Sequence, residues 1–491
     1  MNIRTYSFSV LLLALLPFAV CSELDELIKE AQEKNPSVQA AKSRMEQTLL
    51  KHDELSEFFD PSLLVALGRA DRARSMPLQT GYRSLSNNAT ELQLGLEVPL
   101  EPGAYVSAGF AERILEDEED HGDLYQRMYG VKVRIPLLRD RAFKNLTLKK
   151  AMAMSEYNAA VGSMLAATQG VRHGIELAYI NAYEQLSNYR IAKEATKRFQ
   201  NLHKEALELS KMKVVPEFQT FKTKMDLQIG QEDEENARVR FEESLLALAK
   251  AVGLTEPLVL KCNPDELFTL DTGMVLPDVT NALACEARGE YVQCMANLQY
   301  ARTQIESADE EQTDSLDINF GITAQGEHNS HCYGIDQYFH NYKLDNTVTD
   351  RRVGTEITLV WTRTLDYRGP RARKARYEKR IEEVQQQLRE IAIEVAHQKS
   401  SSMLNYQAAI KRLELVSHGI NAAKQNLAAG QERFRLGETT SSIVTDAQKD
   451  LTTILRRRVS AAADLMRARA NFNYAIGYRE DSNTKQNKVR E

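Results

Sequence analysis

No proline occurs between Pro136 and Pro216, nor anywhere after Pro370. Proline ends a helix because it lacks the N–H and its ring clashes with the preceding turn. Both proline-free stretches are rich in Ala, Leu, Glu, Lys, Gln and Arg, the good helix formers. Apolar residues then set the period. Ile381, Val384, Leu388, Ile391 and Val395 step by three and four, and Tyr406, Ile410, Leu413, Val416 and Ile420 continue the row. That is the heptad-like seam of left-handed coiled-coil packing. The other face carries Lys379, Arg380, Glu382, Glu383, Gln386 and Arg389. The pattern predicts a helix at 141–211 with a partner at 217–252, and a second pair at 371–431 and 438–476. A helix of 60–70 residues reaches ~90–105 Å, more than a globular core uses. Shorter helices are expected at 23–58 and 277–308. By themselves these helices also fit a fibrous coiled-coil rod.

Between the helices the period changes to two. Leu92, Leu94, Leu96, Val98 and Leu100 alternate with polar or small residues, as do Tyr129, Val131, Val133 and Ile135. So do Leu316, Ile318, Phe320 and Ile322, and Val353, Thr355, Ile357, Leu359 and Trp361. Such strands have one apolar and one polar face. Segments of about ten residues with this pattern are the signature of a transmembrane β-barrel, apolar outward and polar inward. A half-buried soluble sheet has the same local pattern. Two weaker strands are expected at 62–70 and 104–111, with polar loops at Asp71 to Asn88, Glu116 to Asp123 and His328 to Asp350.

The N-terminus reads as a secretory signal over 1–21. Arg4 precedes the apolar run Phe8 to Val20, and Ala19-Val20-Cys21 places small residues before a cut at Ser22. The run is too short to span a bilayer as a helix. Val20 before Cys21 disfavours lipidation of that cysteine. Four cysteines remain, Cys262, Cys285, Cys294 and Cys332. In an exported chain they permit either disulfides or free thiols. The formal charge of −6 argues against a nucleic-acid binder.

Two halves repeat one order: short helix, strands, long helix, partner helix. Ala251-Val252-Gly253-Leu254 closes the first, and Ala475-Ile476-Gly477-Tyr478 closes the second 224 residues later. Val133 to Asp140 stands opposite Trp361 to Arg368 at an offset of 228. The organisation expected is a signal peptide at 1–21, a first repeat at 22–254, a linker at 255–276, a second repeat at 277–478 and a polar tail at 479–491.

Together these features resemble the TolC family of outer-membrane efflux and secretion channels, over about 23–478. Three local matches carry the resemblance. One is Arg433 to Ser441 followed by Val444 to Leu451, with its Gly, Thr-Thr-Ser and Asp-Ala-Gln elements. The others are Pro136-Leu137-Leu138-Arg139-Asp140 and the Ala-x-Gly close of each half. The resemblance implies an α+β membrane protein: an outer-membrane β-barrel continued by a long α-helical coiled-coil barrel in the periplasm, assembled as a trimer. It implies a passive exit duct of a tripartite efflux or type I secretion system. Its partners would be an inner-membrane transporter, a periplasmic adaptor (membrane fusion) protein and outer-membrane lipid. This chain departs from the family in two places. Its six strand candidates exceed the usual four per protomer, so the hairpin 90–111 either enlarges the barrel or folds outside it. Lys213-Val214-Val215-Pro216 stands where the second half has Gly437 to Thr440.

Gly437 marks a turn between long helices, where glycine tolerates positive φ. Thr439, Thr440 or Ser441 is placed to cap the next helix. By the resemblance this is the periplasmic tip, with Arg435, Gly437, Thr440, Ser441, Lys213 and Pro216 as adaptor-docking candidates. Asp446 matches an acidic position that rings the narrowed tunnel mouth in the family. Ile443 stands where a second acid can occur, and an apolar ring there narrows the mouth by packing. His328, His331, Cys332 and His340 share a loop but match no strong zinc spacing. No nucleophile elbow, P-loop, H-E-x-x-H or Rossmann glycine pattern occurs. No catalytic residue, metal or cofactor is therefore expected. The rival readings are a periplasmic coiled-coil scaffold without a pore, and an exported enzyme of unrecognised chemistry.

Overall fold

The computed structural model describes residues 16–78, 81–101, 103–117, 124–260, 280–329 and 350–477. Most of the signal segment, the tail 479–491, most of the linker, Cys262, His331, Cys332 and His340 lie outside these residues. The elements, in chain order, are α1 (Leu16–Lys34), α2 (Pro36–Glu54), β1 (Ser62–Leu78), β2 (Gly81–Leu100), β3 (Ala104–Asp117) and β4 (Leu124–Pro136). Next come α3 (Lys144–Lys211), α4 (Phe218–Val252), α5 (Asn281–Glu286) and α6 (Gly289–Glu311). The chain continues with β5 (Ser315–Asn329), β6 (Asp350–Thr362), α7 (Arg368–Arg435) and α8 (Ser441–Ala475). It divides into two compact units. One comprises Met1–Glu46, Asn158–Ala296 and Val384–Glu491; the other comprises Gln47–Tyr157 and Asn297–Glu383.

The four long helices stand where the missing prolines put them. α3 and α7 are each 68 residues long, and α4 and α8 each 35. On α7 the seam residues Val384, Val395, Tyr406 and Ile420 are buried, as their period requires. In the helical unit one core joins Leu27, Ile28 and Ala31 to Ile175, Tyr179, Tyr183, Leu248 and Val252. Both tyrosine hydroxyls donate to Glu23 Oε2 at 3.0 Å, so this buried carboxylate is satisfied. A second core gathers Cys285, Val395, Tyr406, Leu465 and Phe472. Cys285 and Cys294 are buried free thiols.

The two shorter helices differ from expectation, because each is two helices. The segment 23–58 breaks at Asn35. Pro36 occupies the first position of α2, where its missing N–H costs nothing. Asn35 Oδ1 accepts from Ser37 N at 3.0 Å, and its Nδ2 donates to Ala251 O at 2.9 Å. The segment 277–308 breaks at Ala287-Arg288. Gly289 then opens α6 against α3, where a Cβ would lie 2.1 Å from Ala166 N.

The other unit is built on one antiparallel sheet in the order β1-β2-β3-β4-β5-β6. The hairpin 90–111 is therefore part of the sheet. Residues 71–78 and 81–88 are strand, not loop: β1 and β2 stay paired from Ser62↔Glu97 out to Leu78↔Gly81. The weaker strands also run further than expected, to Leu78 and Asp117. Pairing supplies what local composition did not, because a polar strand is held by its partner's backbone groups. Phe58, Phe59, Tyr105 and Phe143 form an edge-to-face cluster in this unit, with centroids 5.1–6.2 Å apart. Pro136 to Asp140 does return the strand to a helix. Asp140 Oδ1 accepts from Asn145 N at 2.9 Å in the first turn of α3.

Register aligns the alternation across all six strands. One row runs Val65–Leu94–Phe110–Tyr129–Ala324–Val353, and the next runs Leu63–Leu96–Ala108–Val131–Ile322–Thr355. The opposite face carries Ser62–Glu97–Ser107–Lys132–Gly321–Glu356. Directly paired residues share a face, so the sheet has one apolar and one polar side.

Candidate functional site

The residues singled out near Lys213 and Gly437 come together in the helical unit. α3 ends at Lys211. Val214 N then donates to Leu209 O and Lys213 N to Ser210 O, both at 3.0 Å. α7 ends the same way: Glu438 N donates to Arg433 O at 2.9 Å and Gly437 N to Phe434 O at 3.0 Å. Both are Schellman closures, which need a left-handed residue just past the helix. Gly437 supplies it at φ 76° and Lys213 at φ 57°. The first turn, despite lacking glycine, thus has the same backbone design as the second.

The two turns touch. A Cβ on Gly437 would lie 3.0 Å from Val214 Cγ1. Arg435 Nε reaches Glu205 Oε1 at 2.6 Å between the helix pairs, though the pair is largely exposed. Beneath the turns Leu202, Ala206, Val215, Leu427, Phe434, Val444, Ala447 and Leu451 form one core. Pro216 is exposed and opens the turn before α4. Thr440 is the N-cap residue of α8, yet its side chain makes no capping bond. Ser441 is buried, and its N–H donates to Gln219 Oε1 of α4 at 3.2 Å. The cap comes from the neighbouring helix and not from Thr439, Thr440 or Ser441.

Asp446 and Ile443 share the exposed side of α8's first turns, away from buried Val444, Ala447 and Gln448. The structure also brings out residues that motif reading missed. Gln219, Thr223, Asp226 and Gly230 of α4 and Ser441, Thr445 and Gln448 of α8 are buried polar or small positions at heptad spacing. Thr445 Oγ1 donates to Asp226 Oδ2 at 3.2 Å, while Lys222 and Lys449 flank Oδ1 at 3.8 and 3.5 Å. His203 Nδ1 lies 2.9 Å from Thr223 Oγ1. Gln448 is 1% exposed, and neither amide atom has a hydrogen-bond partner among the described residues. The signal was present as polar residues at seam positions of α4 and α8, a place where a coiled coil ordinarily puts apolar ones. Incompletely satisfied polar seams hold helices together less firmly than apolar ones.

Among the described residues no group of His, Cys, Asp and Glu is arranged to hold a metal. His328 is the last residue but one of β5, and its loop companions lie outside the described residues. Among the described residues no helix is long and apolar enough to cross a membrane, which says nothing of a β-barrel.

No family model matches the chain, and no curated protein sequence matches it. Solved structures do. The outer-membrane protein VceC from Vibrio cholerae aligns at TM-score 0.65 and 16% identity, over 93% of this chain and 96% of that one. CusC, whose structures describe folding and transmembrane channel formation, aligns at 0.67 and 12% identity, over 93% and 92%. The MtrE outer-membrane channel of Neisseria gonorrhoeae aligns at 0.65 and 15% identity, over 92% and 88%. The chain has the fold of the outer-membrane channel proteins. The resemblance to TolC channels read from its motifs is borne out at the level of fold, along nearly the whole chain.

Proposed function

We propose that the chain is the outer-membrane exit duct of a tripartite efflux or type I secretion system. A homotrimer would carry cargo passively from periplasm to exterior. An inner-membrane transporter would supply the energy, and a periplasmic adaptor would link the two. Residues 1–21 would be removed as a signal peptide. The halves 22–254 and 277–478, joined by 255–276, would be copies of one unit, which their matching helix lengths support.

The observation that carries this reading is that one chain presents a two-faced sheet and long helices whose outward seams have no partner among the described residues. Phe218, Met225, Glu232, Val239 and Leu246 recur at seven-residue spacing along α4, and all are exposed. Ile393, Leu404 and Leu415 form an exposed row on α7. Rows of this kind are the half of a coiled-coil contact that a second copy completes. The sheet is open at β1 and β6, and an open edge has no place in hydrocarbon. Closure into a barrel by further copies satisfies both requirements.

In the trimer, Asp446 would form an acidic ring at the inner mouth and Ile443 an apolar collar beside it. Such rings select ions by charge and restrict flow by drying a narrow passage. The turns that hold Lys213, Pro216, Arg435, Gly437, Thr440 and Ser441 would be the adaptor's docking site. The polar α4–α8 seam is the natural place for the mouth to open, since it parts at lower cost than an apolar one.

Separating inner from outer membranes tests the reading. The mature chain should be recovered with the outer membrane and released only by detergent. Recovery in the soluble periplasm would overturn it and leave the coiled-coil scaffold as the better account.

A further inference from the structure

Each of the six strands carries the same pair of faces. Read through the register, the apolar rows begin on β1 at Leu63, Val65 and Leu67 and cross β2 at Leu96, Leu94 and Leu92. The rows of Leu63 and Val65 continue through Ala108 and Phe110 of β3 to Val131 and Tyr129 of β4 without a polar break, while the row of Leu67 and Leu92 meets the ion pair of Glu112 and Arg127 on β3 and β4. On the reverse side β2 presents Gln93, Gly95 and Glu97, in register with Ala111, Gly109 and Ser107 and then Met128, Gly130 and Lys132. Leu64, Met128 and Val360 are among the apolar residues on that otherwise polar face. A hairpin folded back into water or into a lumen has no need for such continuity, because its apolar side would meet solvent.

The dimensions agree. Leu92 to Leu100 span about 27 Å at ~3.4 Å per residue. A tilt of ~40° reduces this to about 21 Å, close to the ~25 Å apolar band of outer-membrane barrels. The edges agree too. On β1, Leu63, Val65 and Leu67 are 71%, 60% and 77% exposed, and on β6 Val353 and Ile357 are 73% and 75% exposed. Both edge strands therefore carry membrane-type apolar rows beside unpaired backbone groups, and the described residues hold no further strand to cover them. In hydrocarbon those groups must pair.

We propose that all six strands of each copy stand in the barrel wall, with the apolar face of the β1–β2 hairpin against lipid acyl chains and β1 paired to β6 of the next copy. Three copies of six strands make 18, where four strands per copy would make 12. Barrels of 16–18 strands enclose a broad aqueous channel. The barrel end of this duct is then wide, with polar rows such as Ser62–Glu97–Ser107–Lys132–Glu356 facing its lumen, and admits bulkier cargo than a 12-stranded wall. This inference rests on the barrel reading above.

Trp361 is the chain's single tryptophan, which provides the test. In a Trp361→Phe background, new tryptophans are placed at Leu94 or Gln93 of β2 and at Val131 or Lys132 of β4. The protein is reconstituted in vesicles of phosphatidylcholine with brominated acyl chains. Leu94→Trp and Val131→Trp should lose most of their emission to the bromolipid. Gln93→Trp and Lys132→Trp should keep theirs and be quenched instead by aqueous iodide. If the β4 pair alternates in this way and the β2 pair does not, the hairpin lies outside the wall and the proposal is overturned while the barrel stands. If neither pair alternates, the barrel reading falls and this inference with it. Leu96→Trp and Glu97→Trp repeat the β2 measurement should the first β2 variants fail to assemble.

Discussion

Lys213 and Gly437 occupy the same position in two Schellman closures, but only glycine takes positive φ without steric cost. A left-handed conformation costs a residue with a Cβ about 1–2 kcal/mol. Lys213→Gly should therefore raise stability by up to about 1 kcal/mol, part of the gain being lost to the freer unfolded chain. Gly437→Ala should lower it by a similar or larger amount, since its Cβ also meets Val214 at 3.0 Å. Thermal denaturation of the detergent-solubilised protein reads both. A lower midpoint for Lys213→Gly would mean that the lysine side chain contributes more than its backbone strain costs.

Helices α3, α5, α6 and α8 meet around Arg288, and the ring of His173 shows what that packing does. It stacks on Tyr474 at 4.5 Å, and its Nδ1 has no hydrogen-bond partner among the described residues. The Arg288 guanidinium lies 4.1 Å from the centre of the same Tyr474 ring and is bound by Glu290 at 3.1 Å. Arg172 and Glu176 flank His173 on α3 and pair with each other at 3.0 Å. Burial, and after it the charge of Arg288, hold the His173 pKa below its ordinary value. The folded state then favours the neutral ring. On acidification the unfolded chain takes up the proton first, so this contribution to stability is present above about pH 6.5 and declines as pH falls below it. His173→Gln should flatten that part of the stability–pH curve. An unchanged curve would show that other groups set the acid limit. The polar α4–α8 seam belongs to the same scale: the contacts of Asp226 come from Lys222 of its own helix and from Thr445 and Lys449 of α8, so neither helix specifies it alone.

For the whole molecule, the features behind the proposed duct converge on surfaces that one copy leaves open. Among the described residues β1 and β6 lack outer partners, the α4 row from Phe218 to Leu246 is exposed, and Asp446 lies on the exposed side of α8. A ring of three Asp446 carboxylates would attract cations and concentrate them at the mouth. Asp446→Asn should reduce cation selectivity in single-channel recordings from planar bilayers, and Ile443→Ala should raise conductance. Selectivity unaltered by Asp446→Asn would remove Asp446 from the ring while leaving the duct intact.

Much of this was legible in the chain because it is local. Missing prolines and a three–four step placed α3, α4, α7 and α8 to within a few residues, since helix period and helix breakers act over neighbouring turns. Alternation placed the faces of β2, β4, β5 and β6 for the same reason. The break at Asn35-Pro36 was also written locally, as an N-cap residue followed by proline at the first helical position. Other features depend on residues far apart, and only the tertiary structure decided them. Pairing turned residues 71–78 and 81–88 from an apparent loop into strand, and register lined up the apolar rows of six strands. Close backbone approach explains Gly289, and a partner helix supplies the cap on Ser441 that Thr440 does not. Period follows from a residue's neighbours in sequence; partners, caps and edges follow from neighbours in space.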